Sequence, residues 1–260
     1  MSIWYFIEDQ EPLSPSMNMA VDEHLFNKCH IDKVGFFRIY AWDRPSFSIG
    51  VSQKVTRAVD IEHIKKNDYG FVRRITGGKT VLHNDEITYS VISSEEKFFK
   101  DNDLYKSYSL IAEIILETLI RSGIKAELSK GSPSILSKSS DPCFSFPTPN
   151  EIEVRGKKIV GSAQKRDKTA LLQHGSIPMS MNYGIYSGGT GYSKRVLERS
   201  MTTISDESNI NREELVKNFS LSFENFIGYS INEYNYSDYD LLEINKLEEK
   251  YASDTWNLNF

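Results

Sequence analysis

EIEVRGKKIVGSAQKRDKTALLQHGSIPM, residues 151–179, decides the fold. Short strand-like runs are broken at Arg155-Gly156 and again at Arg166-Asp167-Lys168, and such turn residues fold a strand back onto its predecessor. Working outward, the clearest helix is DLYKSYSLIAEIILETLIRSG at 103–123. There Leu104, Tyr108, Ile111, Ile115 and Leu119 recur at helical spacing, Ile114 widens the face, and Gly123 marks the end. Further N-terminal, GFFRIYAW and PSFSIG read as strands divided by Asp43-Arg44-Pro45. Ser2–Ile7 is a first strand, and Ser14 or Ser16 caps a helix through MNMAVDEHLFNKC. A short helix from Asp60 to Lys66 precedes a strand ending in VRRITGG, and EITYSVIS is a further strand. On the C-terminal side Tyr183–Ser193, rich in Gly and Tyr, reads as a loop, and helices are expected over Arg212–Phe226 and Asp238–Lys250. The pattern predicts an α+β fold: a mostly antiparallel sheet with packed helices on one face. It is expected to form one domain over 1–260, with 195–260 a small helical extension.

Composition narrows the function. Apolar residues make up 39% and charged residues 26%, so a packed core is expected and global disorder is not. A net charge of -5 argues against a duplex nucleic-acid partner, which needs a basic surface. The chain contains no apolar run long enough to span a bilayer, and no basic-then-apolar leader opens MSIWYFIEDQ. With only Cys29 and Cys143 there is no disulfide framework, which fits a reducing compartment, and the expected location is the cytoplasm.

Two motifs mislead. GGKT at Gly77–Thr80 imitates a phosphate-binding loop, but position 73 is Arg where that loop needs Gly, and a strand follows where it needs a helix. The glycines of GIYSGGTGYSK lack dinucleotide spacing. No G-x-S-x-G elbow occurs, and the five histidines have no metal-ligand spacing, so no metal is expected.

Three segments carry chemistry. In RRITGGKTVLH, 73–83, paired glycines let the backbone approach a ligand or take positive φ. Arg73 and Arg74 alternate faces on a strand, so one points into a site and the other into solvent; the plainer alternative is a glycine bulge with two surface arginines. In DPCFSFP, 141–147, the loop setting favours an exposed Cys143, whereas Cys29 at a helix end reads as a buried hydrophobe. Lys157 or Lys158 supplies the cation that lowers a thiol pKa if the hairpin folds back. In the third segment, GSA at 161–163 suits close approach, while Gln164 and His174 either find internal partners or face a site.

Together these segments resemble the lipoate-protein ligase and octanoyltransferase superfamily, which shares its fold with biotin protein ligase catalytic domains. MNMAVDEHLF resembles that family's N-terminal helix, RRITGGKTVLHNDEITYSV its ligand-covering loop, KKIVGSAQKR with LQHGSI its lysine-bearing hairpin, and EEKYASDTWN its closing segment. PCF followed by PTPNEIEV and GSAQKR is most similar to the cysteine-dependent octanoyl-[acyl carrier protein]:protein N-octanoyltransferases. The resemblance implies Cys143 as acyl-accepting nucleophile and Lys158, rather than Lys157, as its partner. It implies substrate contacts from Arg73, Arg74, Thr76, Gly77, Gly78, His83, Gly161, Ser162, Ala163, Gln164, His174 and Gly175. The donor it implies is octanoyl-phosphopantetheine on acyl carrier protein, with no cofactor required. The acceptor is a lipoyl-domain lysine, on the glycine cleavage H protein or a 2-oxoacid dehydrogenase E2 subunit, and no nucleic acid or membrane takes part. Arg73, Arg74, Lys157, Lys165, Arg166 and Lys168 then form a basic docking face for acidic partners, or are solvated turn charges. Ile75, Lys79 and Thr80 replace the proline, arginine and small apolar residue of many relatives, at positions that shape the cover over the acyl chain. The alternatives are an ATP-dependent lipoate-protein ligase forming lipoyl-AMP (needing ATP and Mg), an amidotransferase between lipoyl domains, and a non-catalytic binding protein on the same scaffold.

Overall fold

A computed structural model describes residues 3–98, 104–129 and 151–258. In chain order the strands are β1 (Trp4–Glu8), β2 (Gly35–Tyr40), β3 (Ser46–Ile49), β4 (Gly70–Arg73), β5 (Val81–His83), β6 (Glu86–Ser93), β7 (Glu127–Leu128), β8 (Ile152–Val154), β9 (Lys157–Lys158), β10 (Gly161–Arg166), β11 (Leu171–Pro178) and β12 (Asn232–Glu233). The helices are α1 (Pro15–Asp32), α2 (Val55–Ala58), α3 (Ile61–Lys66), α4 (Leu104–Arg121), α5 (Tyr183–Thr190), α6 (Lys194–Ser200), α7 (Ile204–Glu207), α8 (Arg212–Ile227), α9 (Asp238–Ala252) and α10 (Asp254–Leu258).

Both expected hairpins form. Arg155 and Gly156 take φ of 52° and 74°, the left-handed pair a two-residue hairpin turn demands, and they join β8 to β9. At the second turn Asp167 Oδ1 accepts the backbone N–H groups of Thr169 and Ala170 and so closes β10 onto β11. The main sheet has the order β10-β11-β6-β2-β1-β12; its first three pairings are antiparallel and its last two parallel. Two three-stranded sheets, β4-β3-β5 and β7-β8-β9, stand beside it.

Side-chain alternation along the main sheet separates two cores. Phe37, Ile39, Tyr89 and Val91 enter one with α4 and α8, where Phe223 stacks on Phe37 at 4.5 Å. Phe36, Tyr40 and Ile92 enter the other with α1 and α9. Helices therefore cover both faces of the sheet, not the single face expected. The reason lies in α1: it starts at Pro15 behind a Ser14 cap and is buried nearly all round, Asn18 and Asp22 included, so it forms an inner layer under α9.

The stretch read as a loop at Tyr183–Ser193 is helical over Tyr183–Thr190. Its glycines serve packing: a Cβ on Gly189 would lie 2.2 Å from the Phe47 ring, and one on Gly188 would lie 2.6 Å from His63. The 195–260 region supplies both α8 and α9, and through β12 it also supplies the sheet's last strand.

Candidate active site

The small sheet β4-β3-β5 faces the α1 side of the main sheet across a pocket with about 380 Å³ of empty space, part of it open to solvent. Met19, Trp42 and Val81 give it apolar walls, and Gly161, Ala163 and Gly175 bring strand backbone to its edge. Gly175 has no alternative, since a Cβ there would stand 2.7 Å from both the Gly161 carbonyl oxygen and the Tyr89 ring.

Polar side chains also line the pocket, but they are turned on one another. Arg74, buried just beyond β4, donates from Nε to Thr76 Oγ1 (3.2 Å) and from Nη1 to the oxygens of Ser48 (2.9 Å each). Its Nη2 donates to the carbonyls of Gly77 (2.8 Å) and Lys79 (3.0 Å), so one guanidinium gathers the glycine loop. Gly78, at φ 90°, rests against this group, and its carbonyl passes so close to Gly50 that a Cβ there would be 2.2 Å away.

Each hydroxyl leads to a histidine. Thr76 Oγ1 bonds His174 Nε2 at 2.7 Å, and His174 Nδ1 bonds Asp22 Oδ2 at 2.9 Å. Ser48 Oγ bonds His83 Nε2 at 2.7 Å, and His83 Nδ1 bonds Glu86 Oε1 at 2.7 Å. Behind Asp22 stands Arg38, fully buried, which also pairs with Asp9. Thr88 and Ser176 donate to Glu86, and Trp42 Nε1 donates to Thr88 while its ring stacks on His83 at 3.9 Å.

Burial would raise both carboxylates, yet the bond from His174 with the charge of Arg38 holds Asp22 below its usual range, and His83 does the same for Glu86. Burial lowers His174, and the neighbouring Arg74 guanidinium and His83 ring add to this against the pull of Asp22. His174 is therefore a neutral imidazole at pH 7. The polar groups satisfy each other, which leaves the wall fit for an apolar guest.

The remaining candidates divide. His83, Arg74, His174, Gly175, Gly161, Ser162 and Ala163 all border the pocket. Thr76, Gly77 and Gly78 belong to the loop that Arg74 holds. Ser162 and Gln164 turn their side chains to the opposite face of the sheet, Ser162 to the Tyr89 hydroxyl (2.7 Å) and Gln164 to Gln173 (3.0 Å). Lys158 is 2% exposed and its Nζ donates to Glu151, whereas Lys157 reaches outward to the Glu198 carbonyl. Burial pushes the Tyr89 phenol up, and its hydrogen bonds with Ser162 and Gln173 draw it partly back.

Arg73 does not reach the pocket. It donates to the carbonyls of Gly50, Val51, Gln53, Trp256 and Asn257 and so ties α10 to the start of the site. Neither arginine is solvated, contrary to expectation, and neither belongs to an exposed docking face, because both are buried with their donors taken up by backbone carbonyls and, for Arg74, by the hydroxyls of Ser48 and Thr76. Cys29 is buried and its thiol is pushed up to about 11, chiefly by burial. Cys143 lies outside the described residues. Among the described residues no group of three His, Cys, Asp or Glu side chains is placed to hold a metal, and no helix is long and apolar enough to cross a membrane.

Sequence reasoning missed Asp22, Arg38, Ser48 and Glu86. The available signal was Asn18 and Asp22 one turn apart on α1, polar residues on a face that must be buried.

A mixed sheet, a glycine loop gathered over an apolar pocket and a lysine-bearing hairpin beside it define a catalytic domain of the biotin/lipoate ligase type. A solved structure of Ta0514, a putative lipoate protein ligase from T. acidophilum with bound lipoic acid, superposes with a TM-score of 0.84 at 22% identity over 100% of both chains. A lipoate-protein ligase A bound with ATP gives 0.83 at 22% identity, over 99% of this chain and 98% of its own. Octanoyltransferase LipM of Brevibacillus brevis is 35% identical over 99% of both chains, and that of Bacillus subtilis is 34% identical over 98% of this chain and 97% of its own. Residues 14–224 match the lipoyl protein ligase A/B catalytic domain. The chain belongs to that family.

Proposed function

We propose that this protein is an octanoyltransferase of protein lipoylation, taking the acyl group from acyl carrier protein and passing it to a lipoyl-domain lysine through a thioester on Cys143. The observation that carries the reading is the 35% identity across 99% of both chains with an octanoyltransferase. The satisfied polar wall of the pocket supports it, because an alkyl chain needs an enclosure with no unpaired donor. Burying about six methylenes at roughly 0.8 kcal/mol each contributes on the order of 5 kcal/mol.

In the proposed reaction the Cys143 thiolate attacks the octanoyl carbonyl, the bond to the phosphopantetheine sulfur breaks, and that thiolate takes up a proton. The neutral amine of the acceptor lysine then attacks the acyl-enzyme. The new C–N bond forms, the Cys143 thiolate leaves, and the amine proton is released. Exchange between thioesters is nearly neutral in energy and amide formation runs downhill, so the reaction requires no nucleotide. Lys158 stabilises the thiolate and the oxyanion, and losing one such donor costs about 2.7–4 kcal/mol of barrier.

The test is intact-protein mass spectrometry after mixing the enzyme with octanoyl-acyl carrier protein without ATP. An octanoyl adduct that hydroxylamine removes and Cys143→Ala prevents is the expected result, with Lys158→Ala slowing its formation far more than Cys29→Ala. Acylation of a lipoyl domain only with ATP and free acid, unaffected by Cys143→Ser, would identify a ligase instead.

A further inference from the structure

We propose that Asp22 is a positioning residue for the acyl-transfer site: it acts through His174 and Thr76 to fix the glycine loop over the pocket. The proposal rests on the acyl-transfer reading above.

Hydrogen-bond direction fixes the His174 tautomer. A guanidinium only donates. Arg74 Nε–H therefore occupies the Thr76 oxygen from one side, and the hydroxyl hydrogen of Thr76 points to His174 Nε2. That nitrogen must accept, so the ring carries its proton on Nδ1 and donates it to Asp22 Oδ2. The opposite tautomer would leave Nδ1 and the carboxylate as two acceptors face to face at 2.9 Å. It would also crowd two donors onto Thr76. Asp22 is held in turn: Oδ1 accepts from Arg38 Nη1 (2.9 Å) and Ser90 Oγ (3.0 Å), and Oδ2 accepts from the Tyr40 hydroxyl (2.9 Å). A chain of donors thus runs one way from Arg74 to Asp22 across three separate elements: the glycine loop, β11 and α1.

A second chain leaves the same guanidinium. Arg74 Nη1 donates to Ser48, Ser48 bonds His83 Nε2, and His83 Nδ1 faces Glu86. With Nε and Nη1 engaged, Arg74 has one orientation, and in it Nη2 meets the Gly77 and Lys79 carbonyls. The carboxylate of Asp22 thereby governs where a loop on the far side of the pocket sits. Removing its charge while keeping its shape frees His174 to take the other tautomer, in which Nε2–H competes with Arg74 for Thr76 and loosens the loop.

The experiment combines steady-state kinetics with octanoyl-acyl carrier protein and nitrogen-15 NMR of the histidine rings, on the wild type, Asp22→Asn, Thr76→Val and the double variant. The wild type should show His174 protonated on Nδ1. Asp22→Asn should populate the Nε2–H form. Each single variant should raise KM about tenfold, as expected for one lost buried hydrogen bond, with kcat changed less. The double variant should also sit near tenfold, because both changes cut one chain. Hundredfold additivity, KM within twofold of wild type, or a tautomer unmoved by Asp22→Asn overturns the role of Asp22. Should Asp22→Asn fail to fold, Thr76→Val decides, with Thr76→Ser expected to restore KM and an unchanged KM in Thr76→Val overturning the proposal. The NMR shifts need no turnover, so a wild type that takes up no acyl group overturns the acyl-transfer reading separately.

Discussion

His174, Asp22 and Glu86 share a direction of titration, and it makes the site acid-labile. His174 titrates below its ordinary 6.5 when folded, so the unfolded chain binds more protons as pH falls past that value. Its contribution is therefore complete above pH 6.5 and is lost on acidification towards its lowered folded value. Asp22 and Glu86, held below their ordinary 3.8 and 4.5, add a second loss as the pH falls further, through their folded values. The gap in urea midpoint between wild type and His174→Gln should accordingly narrow from pH 7 to pH 5, and a constant gap would refute the assignment. Much of this site was legible in the sequence: the glycines, Arg74, Thr76, His83 and His174 all lie in segments that folding alone did not explain. Asp22 was passed over despite its spacing from Asn18, because an acid within a helix normally marks a solvated face. Its partner His174 stands 152 positions away. Only the layering of α1 between the sheet and α9 turns that carboxylate inward.

Among the elements, α10 shows how a peripheral segment supports the pocket. Asn257 Oδ1 accepts the backbone N–H of Arg73, its Nδ2 donates to the Tyr251 carbonyl, and Trp256 Nε1 donates to the Arg73 carbonyl. Asn257→Ala leaves a buried N–H and a buried carbonyl without partners, at a cost of about 1–3 kcal/mol. Thermal unfolding should fall by several degrees. Transfer activity should fall less than in Thr76→Val, since Arg74 and not Arg73 holds the loop. An activity loss equal to that of Thr76→Val would contradict this division. Hairpins and amphipathic helices were legible because their signals are local: positive φ at Arg155-Gly156, apolar spacing along α4. Helix α5 was not, since its glycines answer to Phe47 and His63, neighbours brought up from far along the chain. The second helical layer escaped for the same reason, as a helix buried nearly all round carries no single apolar stripe.

At the scale of the whole molecule, the proposed exchange with acidic donor and acceptor proteins has to be reconciled with a net charge of -5. Of the six cations expected to form a docking face Arg73 and Arg74 are internal and Arg166 donates to Ser107 Oγ, so docking would fall chiefly to Lys165 and Lys168 of the β10–β11 hairpin, together with Lys157. Charge reversal at Lys165 and Lys168 should raise KM for acyl carrier protein about tenfold, shrink at high salt and leave kcat near wild type. A KM that stays level would make these solvated turn charges. The pairing of chain ends carries a different consequence, one of timing. Tyr5 pairs with Asn232 across β1 and β12, and His24 of α1 bonds Asp240 of α9. Glu23 of α1 likewise accepts from Lys250 and Tyr251. A ribosome adding about 5–20 residues per second needs roughly 10–40 s to travel from the end of α1 to α9. Throughout that interval α1 has emerged without the helix that covers it. Chains arrested before residue 238 should be clients of chaperones, and finished ones should not.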